Sequence, residues 1–440
     1  MKHRAAQALA AVALPAVAFL IGCSSMGIFT KATPVAKPAQ DAEAYYQWLM
    51  GCLDSLERDL PQIVASAETA ARKYVDNEKC VISSIGEKGF QMEALGRSGG
   101  LMRFLGPTDN GVLLFVPRDD HLQEDLALAA QYRAKNCLVI AVARRSVLQA
   151  AHEAGAQFDS EIDNHAAEHG GLFLSPDAAW RVPTDPTANA AALWVWTGEF
   201  VAACTRLGKM PPIYLGFAVP GGFDRAKKIG QIKFHLEPPI PMKPCVAGAE
   251  FLRELRKDLA ALHAKEMRKI RAVADLAAKT RDIGRTTYIF AHGHAFMAQI
   301  GCAHDPGYFT QINADWFRVK EGIKIEPGDF VFCLGFNVVL RGKQFNDFDQ
   351  TARRAGARLA WSITSYIKDE VKAIPRGEIL IDQHWAFGDA VVTVPGYDVK
   401  MLPTSGVLAE AVLWMVNAEL FNTLRMKPRE GHATALAARP

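Results

Sequence analysis

The chain has 440 residues, of which 50% are apolar, and its formal net charge is +3 at pH 7. Such a near-neutral balance gives no indication of a nucleic-acid-binding surface, and the length is sufficient for two hydrophobic cores. The eight cysteines lack paired metal spacings such as C-x-x-C, which argues against a disulfide framework and against a metal site.

The N-terminus carries the features of an export signal. A positive segment (residues 2–4) precedes an apolar run (5–22) that ends in Leu-Ile-Gly followed by Cys23. An uncleaved anchor is the alternative, but this alanine-rich run contains a proline and is short for about 30 Å of hydrocarbon. The ending resembles a lipobox, which implies lipidation of Cys23. Residues 1–23 therefore predict a lipoprotein signal peptide and a lipid-anchored protein of the cell envelope, at the outer membrane or its periplasmic face.

Folded structure is expected to begin near residue 41, after a proline-containing tether (24–40). Each half of the chain then shows a long amphipathic helix followed by alternating strands and helices. The predicted helices that open the halves span 42–76 and 249–281, and the predicted strands span 80–86, 111–117 and 137–143 in the first half and 286–293, 328–334 and 358–364 in the second. Short apolar runs separated by helices are typical of a parallel sheet that is covered on both faces.

An internal repeat supports this organisation. Residues 183–199 resemble residues 403–419. Trp414 lies 220 positions after Trp194, and Glu419 lies 220 positions after Glu199. We therefore predict two tandem copies of one α/β unit. A late acid in an apolar helix can serve a ligand or a loop backbone, and the sequence leaves both roles open for this glutamate pair.

The predicted domain boundaries follow from the repeat. The first domain spans 41–210 and the second spans 248–425, followed by a tail at 426–440. The intervening segment, 211–247, is rich in proline, which excludes a long helix there. A short strand is expected around 229–235.

Three segments of the second copy resemble the sugar isomerase (SIS) family. They are Ala-His-Gly-His at 291–294, Ile-Asp-Gln-His-Trp-Ala-Phe-Gly-Asp-Ala at 381–390, and Pro-Thr-Ser at 403–405. In the first copy, residues 89–100 are similar to the family's helix in which a glutamate precedes R-A-G-G. The resemblance implies two doubly wound SIS-like domains, each a parallel sheet of about five strands with helices on both faces. It also implies binding of a sugar derivative, possible phosphorylation of that sugar, and isomerase or lyase activity, with no cofactor.

Sugar isomerisation needs a base to remove a proton beside a carbonyl and an acid to protonate the oxygen. Helix N-termini at the strand tips suit a bound anion. The catalytic candidates are Glu93, His292, His294, His384 and Glu410, and the ligand-binding candidates are Arg97, Gly293, Asn337, Asp389, Thr404 and Ser405. We expect the loop histidines at 292 and 294 to be exposed, although a structural hydrogen bond is the alternative. Thr404 and Ser405 are also plausible helix caps. A metal site of these histidines with Cys302 and His304 matches no established ligand spacing, so none is predicted.

The sequence departs from the family pattern at the loop after the second strand of each copy. The family's serine-rich phosphate loop is replaced by Val-Pro-Arg-Asp-Asp-His at 116–121 and by Leu-Gly-Phe-Asn-Val-Val at 334–339. The two aspartates of the first loop would repel a phosphate dianion. A non-catalytic protein that binds a sugar or a partner is therefore the main alternative, and a solute-binding lipoprotein is a third. The first copy also lacks the loop histidines. It is expected either to be a structural partner only or to complete the site of the second copy, and a homodimer is a further possibility.

Overall fold

Each half of the chain forms its own parallel sheet. The computed structural model describes residues 40–174, 181–217, 219–302, 304–313, 319–335, 343–364 and 374–425. In the first half, the strands pair in chain order, and a short antiparallel pair follows. The parallel strands are β1 (Ile82–Gly86), β2 (Val112–Val116), β3 (Leu138–Ala143) and β4 (Ser160–Asp163), and the antiparallel pair is β5 (Gly171–Leu172) and β6 (Val182–Pro183).

The second half forms a five-stranded parallel sheet of order β11-β10-β9-β7-β8. Counted along this half, the order is 2-1-3-4-5, which is that of a doubly wound fold. The predicted fold class is thus confirmed. The strands are β7 (Thr287–His292), β8 (Thr310–Gln311), β9 (Phe330–Gly335), β10 (Arg358–Ile363) and β11 (Ile379–Asp382).

Within the described residues, the first sheet has four strands rather than the expected five or so. At the place of the missing edge strand, Phe104 makes only an isolated parallel bridge to Ile82. Gly106 and Pro107 follow at once, and a proline cannot donate to a strand ladder. With this bridge counted as a vestigial second strand, both halves share one topology.

The helices cover both faces of the sheets and fill the space between them. They are α1 (Asp41–Arg58), α2 (Leu60–Asp76), α3 (Lys88–Ala94), α4 (Leu122–Ala134), α5 (Arg145–Glu153), α6 (Asp185–Arg206), α7 (Gly222–Ile229), α8 (Val246–Asp282), α9 (Ala295–Gln299), α10 (Lys343–Arg354) and α11 (Ser405–Arg425).

Two local predictions need correction. The single helix expected over 42–76 is divided at Asp59, because Pro61 lacks the N–H group that a continuous helix requires and instead occupies the first turn of α2. The strand expected around 229–235 is not formed, since Ile229 ends α7 and the following residues make turns.

One core joins the two halves. The apolar side chains on the inner face of each sheet belong to the same buried cluster as α1, α2, α6, α8 and α11, whereas the outer faces have separate, smaller cores. Helices of one half also pack on helices of the other: α1 packs on α11, and α8 packs on α6. The described residues of both halves accordingly form one compact unit. Among the described residues, α11 has the length and apolarity of a membrane span, but 83% of that span is buried inside the protein.

Candidate functional site

A cavity of about 260 Å³ lies at the carboxyl edge of the first sheet. It is formed by the ends of β1, β2 and β3, the start of α6, and a segment of the second half just after α9. Its polar lining includes Glu87, Asp119, Arg144, Arg181, Asp185, Gln299 and His304. In doubly wound sheets, ligands bind beyond the carboxyl ends of the strands where the strand order reverses, which here is between β1 and β2.

Arg144 links two of the acids of this cavity, Asp119 and Asp185. Its Nη2 donates to Asp119 Oδ2 at 2.8 Å, and its Nη1 forms a very short ion pair with Asp185. Its Nε contacts Ser146 Oγ and the Glu168 carbonyl, both at 3.1 Å. All three nitrogens of this guanidinium group are therefore engaged by the protein itself.

Asp119 lies between two arginines and a histidine. Arg181 Nη2 donates to Asp119 Oδ2 at 2.8 Å, and His304 Nε2, from the second half, lies 3.5 Å from Asp119 Oδ1. Burial alone would raise the pKa of Asp119, but the contacts with His304, Arg144 and Arg181 outweigh it and hold the pKa well below its usual range. Asp119 is thus ionised at neutral pH.

The other acids of the cavity behave differently. Burial raises the pKa of Asp185 in spite of Arg144. Burial also raises the pKa of Glu87, although its carboxylate accepts bonds from Gly89 N at 2.7 Å and from the Gln299 side chain. Burial raises the pKa of Cys302 to about 12, so this thiol is not a thiolate nucleophile at neutral pH.

A second polar network lies between the halves, beside the carboxyl edge of the second sheet. Arg97 Nη2 donates to Ser405 Oγ at 2.6 Å and lies 3.3 Å from Glu93 Oε1 and 3.4 Å from Asp389 Oδ2. Ser405 Oγ in turn donates to Asp389 Oδ2 at 2.6 Å. The structure therefore brings together four residues that the sequence nominated, two from each copy.

Glu93 occupies the space at the start of α11. Its Oε1 accepts from Trp194 Nε1 at 2.9 Å, and a β-carbon on Gly406 would lie only 1.9 Å from the same oxygen. Farther along the helix, Glu410 is fully buried and accepts from Trp414 Nε1 at 2.7 Å. Burial raises the pKa of the Glu410 carboxyl group well above its usual value.

The two loop histidines are buried, which corrects the expectation that they are exposed. Only 1% of His292 and 9% of His294 is accessible, because α3 of the first half packs on α9 of the second. His294 Nδ1 lies 3.0 Å from the Met92 carbonyl. Burial lowers the pKa of His292 to about 4, and burial together with Arg97 lowers that of His294, so both rings are neutral. Gly293 is required for packing, since a β-carbon there would lie 2.1 Å from the Phe296 ring.

The remaining candidates lie apart from this network or outside the described residues. Thr404 Oγ1 donates to Asp258 Oδ2 in α8 at 2.9 Å. His384 Nε2 lies 3.3 Å from Glu266 Oε1, also in α8. Asn337 lies outside the described residues.

Sequence reasoning did not assign the cavity of the first sheet. The repeat contained a signal for it, because Asp185 occupies in the first copy the place of Ser405 in the second. Arg144 and Arg181 gave no such signal, since neither belongs to a recognisable motif.

The sequence matches no protein-family model and no curated protein. Several solved structures are similar in fold. The C-terminal domain of glucosamine-fructose-6-phosphate aminotransferase from Francisella tularensis shares 10% identity over 85% of this chain and 96% of its own, with a TM-score of 0.44. Tagatose-6-phosphate ketose/aldose isomerase from Escherichia coli shares 10% identity over 89% and 96%, with a TM-score of 0.46. Glucosamine-6-phosphate deaminase from Thermotoga maritima shares 10% identity over 83% and 94%, with a TM-score of 0.36. The doubly wound fold itself stands on the strand order of this chain.

Proposed function

We propose that this chain binds a sugar derivative of monosaccharide size in the cavity at the carboxyl edge of the first sheet. The observation that carries the proposal is a cavity of about 260 Å³ at the point where the strand order reverses, lined by charged side chains of the first half and by Gln299 and His304 of the second. Ligand pockets of this kind are concave, with a small number of convergent polar groups that fix the orientation of the ligand.

The lining suits the hydroxyl groups of a sugar. A hydroxyl group both donates and accepts, so it needs acceptors such as Asp119 and donors such as an arginine. Arg181 Nε is buried and has no hydrogen-bond partner within the described parts of the chain. A buried donor without a partner is costly.

Isomerisation is the second candidate, and it would use the network between the halves. Burial raises the pKa of Asp389 to about 6, near the carboxylate of Glu93, and two carboxyl groups in unlike environments suit acid–base chemistry. Binding has the stronger support, because Glu93 and Asp389 are already bonded within the protein and both loop histidines are buried. Product analysis by NMR after incubation with a sugar that binds would decide: conversion that is lost in Glu93→Gln supports isomerisation, and recovery of unchanged sugar excludes it.

A solute-binding lipoprotein is less well supported. In such proteins the chain normally crosses between two lobes, whereas each sheet here takes all of its strands from one half of the chain.

We further propose that the protein is anchored in the cell envelope by a lipid on Cys23. This rests on the lipobox-like sequence alone. Membrane fractionation of Cys23→Ser tests it: the variant should appear in the soluble fraction, and retention with the membranes would refute lipidation.

Isothermal titration with a panel of monosaccharides, amino sugars and their phosphate esters tests the binding proposal. At least one member should bind, and Arg181→Ala should weaken its binding at least tenfold. Arg145→Ala is the matched control, because its side chain is 85% exposed and lies outside the cavity lining. If no member binds, or if both variants weaken binding equally, the cavity is not the site.

A further inference from the structure

We infer that the protein binds an oligosaccharide, one unit of which occupies the cavity of the first sheet while further units lie in an adjoining groove along α5. This inference rests on the proposed function and extends it from one sugar unit to a chain of units. It is carried by three depressions that adjoin the cavity one after another, and by the side chains that line them.

The three depressions form a row that leads away from the cavity. The first, of about 450 Å³, shares Asp119 and Arg181 with the cavity. The second, of about 690 Å³, shares Ser146 and Glu168 with the first, and the third, of about 430 Å³, shares Gln149 with the second. We call this row the α5 groove, because residues of α5 line each of its members. Each depression is larger than the cavity of about 260 Å³, so the groove has room for further sugar units.

One face of α1 borders the second depression of the α5 groove. Trp48, Gly51, Cys52 and Ser55 line it, and their spacing of three and four residues places them on the same side of the helix. The Trp48 ring packs edge-on against the ring of Tyr45, with 5.0 Å between the centroids, and Tyr45 is fully buried. Trp48 itself is only partly buried. The groove therefore contains an aromatic ring that is held in place from below.

The lining of the second depression suits a sugar ring. Such a ring has apolar C–H groups on its faces and hydroxyl groups around its rim, so a rigid aromatic side chain such as Trp48 can cover a face. Gln47 and Gln149 border the same depression and supply amide groups for the rim. Their nitrogens bond to Glu43 and Glu153, and their amide oxygens have no partner within the described residues. These oxygens can accept hydrogen bonds from hydroxyl groups.

The charges of the α5 groove favour an uncharged chain. Three arginines and three histidines line the groove together with six carboxylates, which are those of Asp59, Asp119, Glu153, Glu161, Asp163 and Glu168. A polyanionic chain would meet this excess of carboxylates. A charged chain of either sign would also compete with ion pairs inside the groove, such as that of Arg145 with Asp163 at 3.3 Å. A hydroxyl group would not, because a paired carboxylate keeps part of its about four acceptor sites.

Calorimetric titration of the full-length protein with glucose, galactose, mannose and N-acetylglucosamine, each beside its β-1,4-linked tetrasaccharide, tests the inference. We expect at least one tetrasaccharide to bind at least tenfold more tightly than its monosaccharide. A monosaccharide that binds as tightly as its tetrasaccharide overturns the inference while leaving the proposed function in place. Absence of binding by all of these saccharides also overturns the inference, and the proposed function is then decided by the amino sugars and phosphate esters of the wider panel.

Two variants in α1 test whether the chain of sugar units lies in the α5 groove. Trp48→Ala removes the aromatic ring, and Gly51→Gln fills the open space beside it with a better helix former than glycine, so the second variant should fold even if the first does not. Each should lower the affinity for the tetrasaccharide to that for the monosaccharide, whereas Arg181→Ala, in the cavity, should weaken the binding of both ligands. Gly51→Ala adds a single carbon atom and is the matched control, which should keep the wild-type affinity. Equal tetrasaccharide binding by Gly51→Gln and Gly51→Ala overturns the inference.

Discussion

Glu199 and Glu419, which are 220 positions apart, each hold the first turn of a helix that belongs to the other half of the chain. Glu419 Oε1, in α11, accepts from the N–H groups of Asp41 and Ala42 at the start of α1, both at 3.0 Å. Glu199 Oε1, in α6, accepts from Gly248 N near the start of α8 at 2.8 Å. This reciprocal capping joins the two halves and resolves the role that the sequence left open for the pair: both acids bond to backbone.

Removal of the Glu419 cap should destabilise the protein more than removal of the Glu199 cap. Glu419 also forms a very short ion pair with Arg271, so Glu419→Ala removes one of the two acids that pair with this arginine and takes the acceptor from two backbone N–H groups. We expect a loss of about 3–5 kcal/mol in the free energy of unfolding. Glu199→Ala should cost about 1–3 kcal/mol, because mainly N–H groups lose their acceptor. Urea unfolding measures both values. Glu124→Ala, at a side chain that is 75% exposed, is the control and should change stability by less than about 0.5 kcal/mol. Equal values for the three variants would contradict the capping role.

Replacement by alanine should have opposite effects on stability at two helical glycines. In an exposed helix position, replacement of glycine by alanine stabilises by up to about 1 kcal/mol. Gly51 in α1 has open space around its missing β-carbon, so Gly51→Ala should raise the melting temperature. At Gly406 a β-carbon would lie 1.9 Å from Glu93 Oε1, so Gly406→Ala should lower it by displacing that carboxylate. A stabilising Gly406→Ala would show that Glu93 does not occupy the start of α11.

Asp389 should make the free energy of unfolding measurably dependent on pH. Burial raises its pKa from 3.8 to about 6, so the folded state holds a proton that the unfolded state releases between these values. The stabilisation from this proton is complete below pH about 4 and is lost as the pH rises through about 6. Relative to the wild type, Asp389→Asn should therefore gain about 3 kcal/mol of stability between pH 4 and pH 7. Unfolding in urea at several pH values tests this, and parallel curves for the two proteins would rule it out.

Arg144, which lines the cavity, and its chain neighbour Arg145, which does not, should differ sharply in their contribution to stability. Arg144 bonds to Asp119 and Asp185 and is 9% exposed, so Arg144→Ala removes the ion pair of Asp185 and leaves Asp119 with Arg181 as its remaining arginine. We expect this change to cost about 3–5 kcal/mol in the free energy of unfolding. Arg145 is 85% exposed, and Arg145→Ala should cost less than about 0.5 kcal/mol. Thermal and chemical unfolding of the two variants provides the comparison. Similar losses for both would mean that the ion network of the cavity contributes little to the fold.

The architecture was largely predictable because it depends on local patterns. Apolar runs such as 137–143 and 358–364 became β3 and β10 with ends shifted by at most one residue. The repeat between Trp194 and Trp414 correctly indicated that both halves are built alike. The fifth strand predicted for the first sheet is reduced to an isolated bridge at Phe104. Whether the residues around Phe104 pair as a strand depends on neighbours that are distant in sequence.

The candidate site was only partly predictable. Glu93, Arg97, Asp389 and Ser405 were nominated from motifs, and they meet in one network. The burial of His292 and His294 was not foreseen, since it arises from the packing of α3 on α9, two helices from different halves. For the same reason the cavity lined by Arg144, Arg181 and His304 has no sequence motif.

From its sequence alone, this protein was determined to be a duplicated α/β chain, because hydrophobic periodicity and an internal repeat are properties of residues that are near one another or regularly spaced. Only the tertiary structure decided which charged side chains line the cavity. Asp119 and Asp185 pair there with Arg144, and Asp119 also pairs with Arg181. Electrostatic character depends on burial and on pairing across the fold, and neither quantity is encoded in the order of residues along a single segment.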